Sequence, residues 1–521
     1  MKQFLRITAV VLAAAFLFAL TGCSGGSGAA SFTWFVDTIP ANLDPQVVSA
    51  APDVIACENL YGGLVRKNAD GEIVPNLCES WTVSADGRTY TFAIKDGLTY
   101  TAAKGTATDY SITAEDFVFA FRRIFQAQTG SPYAVEFSAI ENSAAVLDGT
   151  ADPSTLGVSA SGPLTLVFRL SSPDENFLSK LTLPGAMPCD EEFFNSTRGT
   201  YGLTAKTTLS SGPFYLYNWT SGGLFLRREP SGTRIDSLRL VQNTNNADQS
   251  AIELINSEKC SAAVDATGST TSLSSISYSD TTWSLLFNCN TIFSSTELRQ
   301  ALAGVARDAA EVPSTELFAA ADSLIPAGLN VDGMNYRDTV GDVSPAAVDV
   351  KALYLAARQG MANSDFNKIT LMLPAGCGLN EAAETINGAW QKELSLFFSI
   401  EEVDEETFRK RLAEGDYTIA LAPVSAESGS VYNTLAQFTP AGGGLTGYSN
   451  ALYATQLEAS THANGSTRCR LLGECERQLL SDCVVVPLFS QQKRLLIASG
   501  VKNLIFDPFG PVLDLTYATK E

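Results

Sequence analysis

Residues 369–421, ITLMLPAGCGLNEAAETINGAWQKELSLFFSIEEVDEETFRKRLAEGDYTIAL, carry the pattern that decides the fold. Ile369 to Leu373 reads as a short strand. Asn380 then heads a run in which Ala383, Ile386, Trp390, Leu394 and Phe397 recur at intervals of three and four, the spacing of one helix face. A strand at Ile400 to Val403, a helix from Glu405 to Glu414 stopped by Gly415, and a strand at Tyr417 to Leu421 complete a β-α-β-α-β unit. The fold class is α/β with mixed sheets.

Outward from this unit the same signals continue. Ser294-x-x-Glu297 predicts the start of a helix carrying Leu298, Ala301, Leu302 and Val305. Trp81, Val83, Tyr90, Phe92 and Ile94 alternate around Ala85-Asp86-Gly87, which predicts a hairpin. Thr113-Ala114-Glu115-Asp116 resembles a capping box, and Phe117, Ala120, Phe121, Ile124 and Phe125 follow at helical spacing. Leu164 to Leu170 reads as a strand, as does the alternation of Phe32, Trp34 and Val36. No internal repeat is present.

The amino terminus has a different character. Lys2 and Arg6 precede an apolar stretch from Ile7 to Leu20, too short to span a bilayer comfortably, which reads as a signal peptide. Leu20-Thr21-Gly22-Cys23 resembles the bacterial lipobox, in which Cys23 receives a diacylglycerol and cleavage occurs before it; the alternative is an ordinary secretory signal with an incidental cysteine. Two acyl chains hold a protein stably at a membrane, whereas one does not. Residues 24–31, SGGSGAAS, form a tether reaching about 15 Å.

The formal net charge is −21, and removal of residues 1–22 leaves 33 Lys+Arg against 56 Asp+Glu. That balance argues against nucleic acid or anionic lipid as a partner. Ten cysteines, Cys23 included, are scattered without a C-x-x-C pair, so neither a metal site nor a cofactor is expected. Cys469 and Cys475 lie six apart on a predicted helix and face different ways, so they should not bridge. Buried free thiols are the expectation.

Several segments, taken in order, resemble the extracellular solute-binding proteins of family 5, the oligopeptide, dipeptide and nickel binders of ABC importers. They are Leu43-Asp44-Pro45, Leu60-Tyr61-Gly62-Gly63-Leu64, the run from Asp70 to Trp81, Asp86 to Phe92, and Ile112 to Phe117. Ser131-Pro132-Tyr133-Ala134, Leu156-Gly157-Val158 and Ser211 to Tyr215 resemble the oligopeptide branch, and Leu298 to Leu302 and Val485 to Leu488 also agree. The sequence departs from the family at Thr101 to Ser111, a longer polar loop, and at Glu229-Pro230-Ser231-Gly232.

The resemblance implies a type II periplasmic-binding-protein-like fold of three lobes around an interlobe ligand cleft. Its expected divisions are residues 1–22 as leader, 23–31 as lipidated cysteine and tether, 32–60, 189–283 and 490–521 as lobe I, 61–188 as lobe II, and 284–489 as lobe III. It implies capture of short oligopeptides by hinge closure, and delivery to the transmembrane subunits of an ABC permease. The protein would be a monomer, lipid-anchored on the extracytoplasmic face of the cell membrane (periplasmic where the host has an outer membrane).

A zwitterionic peptide requires an anion for its α-amino group and polar partners for its backbone. Alignment on Tyr417 to Ala420 implies Glu427 as that anion, with Val424 and Ser425 along the peptide; the alternative for Glu427 is a solvated loop residue. Leu421 stands where oligopeptide binders can carry an arginine. Tyr133 matches a ligand-reaching tyrosine or is a core aromatic, Ser211-Gly212 fits a turn at the cleft rim, and Phe489 lines either cleft or core. Asp44-Pro45 reads as a turn organiser.

An enzyme reading is poorly supported. His462 is the only histidine, in a polar stretch, and neither G-x-S-x-G nor H-E-x-x-H occurs. Ser490-x-x-Lys493 matches the S-x-x-K of one serine-hydrolase class, but it follows an apolar strand rather than opening a helix and lacks the companion motifs S-D-N and K-T-G. A non-transport peptide receptor or chaperone on the same fold is the remaining alternative, because fold does not determine function.

Overall fold

The alternating residues near the amino terminus form the strand Ser31–Val36, which pairs in parallel with Ser237–Gln242. Gly223–Arg227 and Tyr215–Thr220 extend the sheet antiparallel on the far side. The computed structural model describes residues 30–68, 71–174, 176–244, 249–426, 429–461, 463–509 and 512–521. The predicted leader with Cys23, Glu427 and His462 lie outside the described residues. Beneath the first sheet one apolar core collects Phe32, Leu60, Leu216, Leu238, Leu495 and Leu515, which come from three distant parts of the chain.

A second core belongs to the predicted hairpin. Cys78–Val83 and Thr89–Ile94 pair antiparallel, and Thr165–Arg169 and Val158–Gly162 complete a four-stranded sheet. The helix Ala114–Ile124 covers it, with the capping box formed as predicted: Thr113 N donates to Asp116 Oδ2 at 2.8 Å. Phe121, Phe168 and Phe177 meet edge to face with centroids about 5 Å apart, the arrangement aromatic quadrupoles favour.

The third sheet is mixed. Its order is Ala262–Asp265, Val485–Ile497, Ser274–Phe287, Ile419–Ser425, Thr370–Pro374 and Ser399–Val403, with Phe318–Ala320 also on Val485–Ile497. The last three strands are parallel and form the unit read from residues 369–421. Both faces are covered. Leu285, Leu371 and Leu421 enter one core, while Leu286, Met372 and Ala420 enter another on the opposite face. A sheet buried on both sides needs no polar face, so its central strands Thr370–Pro374 and Ile419–Ser425 read as nearly continuous apolar runs.

Ser274–Phe287 and Val485–Ile497 are long enough to belong to two bodies. Leu495 and Ile497 pack in the first core, Val486 and Phe489 in the third. Their pairing slips between Tyr278 and Thr281 and again between Trp283 and Ser284, and such bulges bend a strand locally. At the first slip the buried Asp280 pairs with Lys493 at 2.7 Å, and Ser279 and Ser490 share a hydroxyl hydrogen bond of 2.6 Å. Lys493 therefore stands beside a carboxylate and Ser490 beside another hydroxyl, an unsuitable arrangement for activating Ser490 as a nucleophile.

Some boundaries differ from expectation. Ser295, not Ser294, caps Thr296–Ala309, because its hydroxyl accepts the N–H of Leu298 while Ser294 closes a 3-10 turn. Asn380 is the first residue of Asn380–Leu394 and not its cap. Ser395 then turns left-handed, leaving Phe397 beyond the helix and 66% exposed. The strand expected at Tyr417 runs from Ile419 to Ser425. The described cysteines are free, Cys469 and Cys475 included.

The turn at Asp44 does more than reverse the chain. Val47 N donates to Asp44 O at 3.1 Å, and the Asp44 carboxylate receives both terminal nitrogens of Arg123 from the second core. Arg123 also donates to Gln46 Oε1 at 2.6 Å and lies 4.2 Å over the ring of Phe194. Asp44→Asn leaves that buried guanidinium uncompensated, and loss of about 3–5 kcal/mol is expected. The exposed pair Glu405 and Arg409 is the control. Urea unfolding should show a clear fall in midpoint for Asp44→Asn and little change for Glu405→Gln.

Candidate functional site

A cavity of about 990 Å³ lies where the three bodies meet. Helix Ala51–Leu60 supplies Val54 and Glu58, and the carboxy-terminal segment supplies Ile505, Asp507 and Asp514. The second body contributes Arg66, Lys67, Tyr133, Glu136 and Asn176. The third contributes the loop from Gly328 to Gly333, the segment from Gly429 to Tyr432, and Arg468.

Each wall is held by buried polar groups. Pro52 in the first turn suits the start of Ala51–Leu60. Asn59 in its last turn donates to Leu513 O at 2.7 Å and accepts Leu515 N at 3.0 Å, which docks the carboxy-terminal segment. Arg66 donates to both oxygens of Asp514, at 3.1 and 2.9 Å, to the hydroxyl of Thr516 and to Tyr61 O. Its charge is therefore already compensated.

The opposite wall depends on Glu476, which is fully buried on Gly465–Ser481. It accepts from Leu324 N, Ile325 N, Tyr336 Oη and Arg337 Nη2, all within 2.9–3.0 Å. Both ends of the intervening loop are thus pinned, and its middle reaches the cavity. There Asp332, with φ +50°, pairs with Arg468 at 3.0 Å and accepts Gly465 N at 2.7 Å. Lys180 of the second body approaches Asp332 at 3.7 Å while holding Asp174 at 2.8 Å. The chain Asp174–Lys180–Asp332–Arg468 bridges two bodies across one side of the cavity.

Glu58 differs from these groups. Among the described residues its carboxylate has no hydrogen bond or ion pair. Burial pushes its pKa up to about 8, assisted by the charge of Asp514 and opposed by Arg66 and Lys67. Its place in the last turn of a helix, near the carbonyl end of the dipole, also disfavours a negative charge. Burial likewise raises the pKa of the neighbouring Tyr133, with Cys57 and Glu58 adding to it.

The residues expected from the sequence fare differently. Tyr133 lines the cavity, but its hydroxyl is engaged with Val48 O at 2.9 Å. Its ring rests on Gly185, where a Cβ would meet it at 2.5 Å, so it is both a core aromatic and a wall. Ser211 and Gly212 are not among the residues that line this cavity. Ser211 accepts Gly62 N at 3.1 Å and Gly212 donates to Leu60 O at 2.8 Å. A Cβ on Gly212 would come within 2.7 Å of Tyr61, so this pair closes a tight chain crossing. Phe489 is fully buried against Phe318, with centroids 6.3 Å apart. Val424 is buried opposite Thr282, and Ser425 pairs with Thr281; neither lines the cavity. Glu427 lies outside the described residues, although Gly429 to Tyr432 just beyond it line the cavity.

Glu58, Asp332 and Asp507 were not anticipated from the sequence. A glutamate in the last turn of a helix whose middle, Val54 to Cys57, is apolar was the one available signal. Among the described residues no cluster of His, Cys, Asp or Glu could hold a metal ion, and no helix is long and apolar enough to cross a membrane.

Comparison with known proteins bears on this geometry. The profile of bacterial extracellular solute-binding proteins, family 5, matches residues 72–445. The Dipeptide-binding protein DppE of Bacillus subtilis (strain 168) is 23% identical over 554 residues, covering 100% of both chains. The Periplasmic murein peptide-binding protein MppA of Escherichia coli (strain K12) is 38% identical over 136 residues, 26% of this chain and 24% of that protein. Among solved structures, Listeria monocytogenes OppA bound to peptide superposes with a TM-score of 0.64 at 20% identity, covering 95% of this chain and 99% of that one. The substrate-binding domain of an oligopeptide ABC transporter from Bacillus anthracis gives 0.65 at 22%, covering 95% and 99%. These likenesses establish the type II periplasmic-binding fold.

The Asp332 bridge makes the separation of the bodies testable. Asp332→Asn removes the anion between Lys180 and Arg468, and should enlarge the radius of gyration of the ligand-free protein in small-angle scattering. An unchanged radius would show that the bridge does not hold the bodies together.

Proposed function

The chain belongs to the bacterial extracellular solute-binding proteins of family 5, and from that membership we propose that it captures short peptides and delivers them to the permease of an ABC importer. The observation that carries this reading is the cavity of about 990 Å³ walled by three separately cored bodies, at the upper end of the range for ligand sites. Two long strands with bulges join the first body to the third, as hinge closure around a ligand requires. DppE is named a dipeptide-binding protein, and the Listeria OppA structure is of a peptide complex.

In this reading lobe I comprises residues 32–60, 189–283 and 490–521, lobe II residues 61–188 and lobe III residues 284–489; the distribution of the apolar cores supports that division. Cys23 carries the lipid that retains the protein at the extracytoplasmic face of the cell membrane. The protein binds as a monomer and does not transform its ligand. Glu427, preceding the cavity-lining segment from Gly429, takes the α-amino group of the peptide.

Two measurements test this. Saturating short peptides should raise the melting temperature and compact the molecule, because ligand binds only the folded, closed form; no change in either across a peptide library would refute peptide capture. Wild-type protein should discriminate strongly against an N-acetylated peptide. Glu427→Gln should lose about two to three and a half orders of magnitude in affinity for the free peptide, and equal affinities would exclude Glu427. For the anchor, Cys23→Ala should abolish metabolic labelling by a fatty acid, and labelling at the wild-type level would refute lipidation there.

A further inference from the structure

The charged residues walling the cavity fall into two groups. Asp514 is matched by Arg66, and Asp332 by Arg468 and Lys180. Glu58, Glu136, Asp507 and Lys67 also face the cavity, and among the described residues none of them makes an ion pair. Asp507 accepts only the backbone N–H of Phe509, at 3.0 Å. Three acids thus stand against one base. A cleft that closes over a neutral side chain leaves Glu136 and Asp507 with only Lys67 to oppose them and holds Glu58 as the neutral acid, and burying charge without a partner is costly.

Glu58 is the acid placed to receive a cation. It projects from the last turn of Ala51–Leu60 into the cavity, close enough to Asp514 to be disfavoured as an anion. Arg66 cannot neutralise it fully, because Asp514, Thr516 and Tyr61 O already occupy that guanidinium. We propose that Glu58 receives a cationic side chain of the bound peptide, so that the cleft selects short peptides carrying a lysine or arginine in addition to their charged termini. This rests on the peptide-capture reading and specifies its ligand class.

The acid–base behaviour of the site follows. Glu58 faces Asp514 on the carboxy-terminal segment, Arg66 and Lys67 on Val65–Lys67, and Tyr133 and Cys57; Glu136 and Asp507 share its cavity. With its pKa pushed up to about 8, the empty site holds a proton at pH 7. An incoming ammonium favours the ionised form and expels that proton. Affinity for a basic peptide should therefore rise with pH until about 8 and level off above it, with close to one proton released per ligand at pH 7.

The experiment titrates wild type and Glu58→Gln with Lys-Ala-Ala, Ala-Lys-Ala and Ala-Ala-Lys, each against its norleucine counterpart, by calorimetry in buffers of different ionisation enthalpy. Wild type should prefer at least one lysine peptide by about tenfold or more, with proton release. Glu58→Gln should lose that preference and the proton release, the lysine and norleucine peptides binding alike. Norleucine binding with no lysine preference in wild type, or a preference that survives in Glu58→Gln, overturns the proposal and leaves peptide capture standing. Failure of every peptide to bind wild type overturns both. Proton release and pH dependence are read on wild type alone, so the test holds even where the variant folds poorly.

Discussion

A charge taken out of water costs several kcal/mol unless a partner and further hydrogen bonds compensate it, and this protein places several of its buried charge pairs where its bodies meet. Asp44 and Arg123 join the first core to the second, and Arg66 and Asp514 join them again. Lys180 and Asp332 bridge the second to the third, and Asp280 and Lys493 lie within the strands shared by the first and third. Apolar cores alone would leave the bodies free to slide, since hydrophobic contact has little directionality. Paired charges at the seams tolerate few relative positions, because separating them exposes each to the full desolvation cost.

The strands Ser274–Phe287 and Val485–Ile497 follow the same logic. A continuous ladder would transmit any rotation stiffly from one core to the other. The interruptions beside Asp280 and Trp283 supply places where the ladder can bend without losing its end pairings. Asp280 remains compensated there by Lys493 and the Thr281 hydroxyl, so the bulge creates no orphaned charge.

Against that background Glu58 stands apart. It lines the cavity as an acid without a partner among the described residues, next to a cation already committed to Asp514. Tyr133, by contrast, presents its ring as wall and keeps its hydroxyl on Val48. The cavity therefore combines walls held in place by internal hydrogen bonds with a few charged groups that make no ion pair among the described residues, the division by which a binding site holds its shape before a ligand arrives.

Much of the architecture was determined by the sequence itself. The alternation in Trp81 to Ile94, the capping box at Thr113 and the periodicity across residues 369–421 each specify an element through local geometry, because side-chain period and capping act within a few residues. Departures were equally local: neighbouring Ser294 and Ser295 compete for one cap, and Ser295 prevails by reaching Leu298 N. The composition of the cleft belongs to tertiary structure alone. Arg66 meets Asp514 across |i−j| of 448, and Asp332 meets Arg468 across 136. The order of motifs left Phe489 to cleft or core and set Ser211 in a turn at the cleft rim; packing buries Phe489 against Phe318 and joins Ser211 to Gly62 N, whereas Glu58 came to line the cavity. Local pattern specifies which face of an element is apolar; which polar residues are compensated and which are left facing a cavity depends on what the folded chain brings against them.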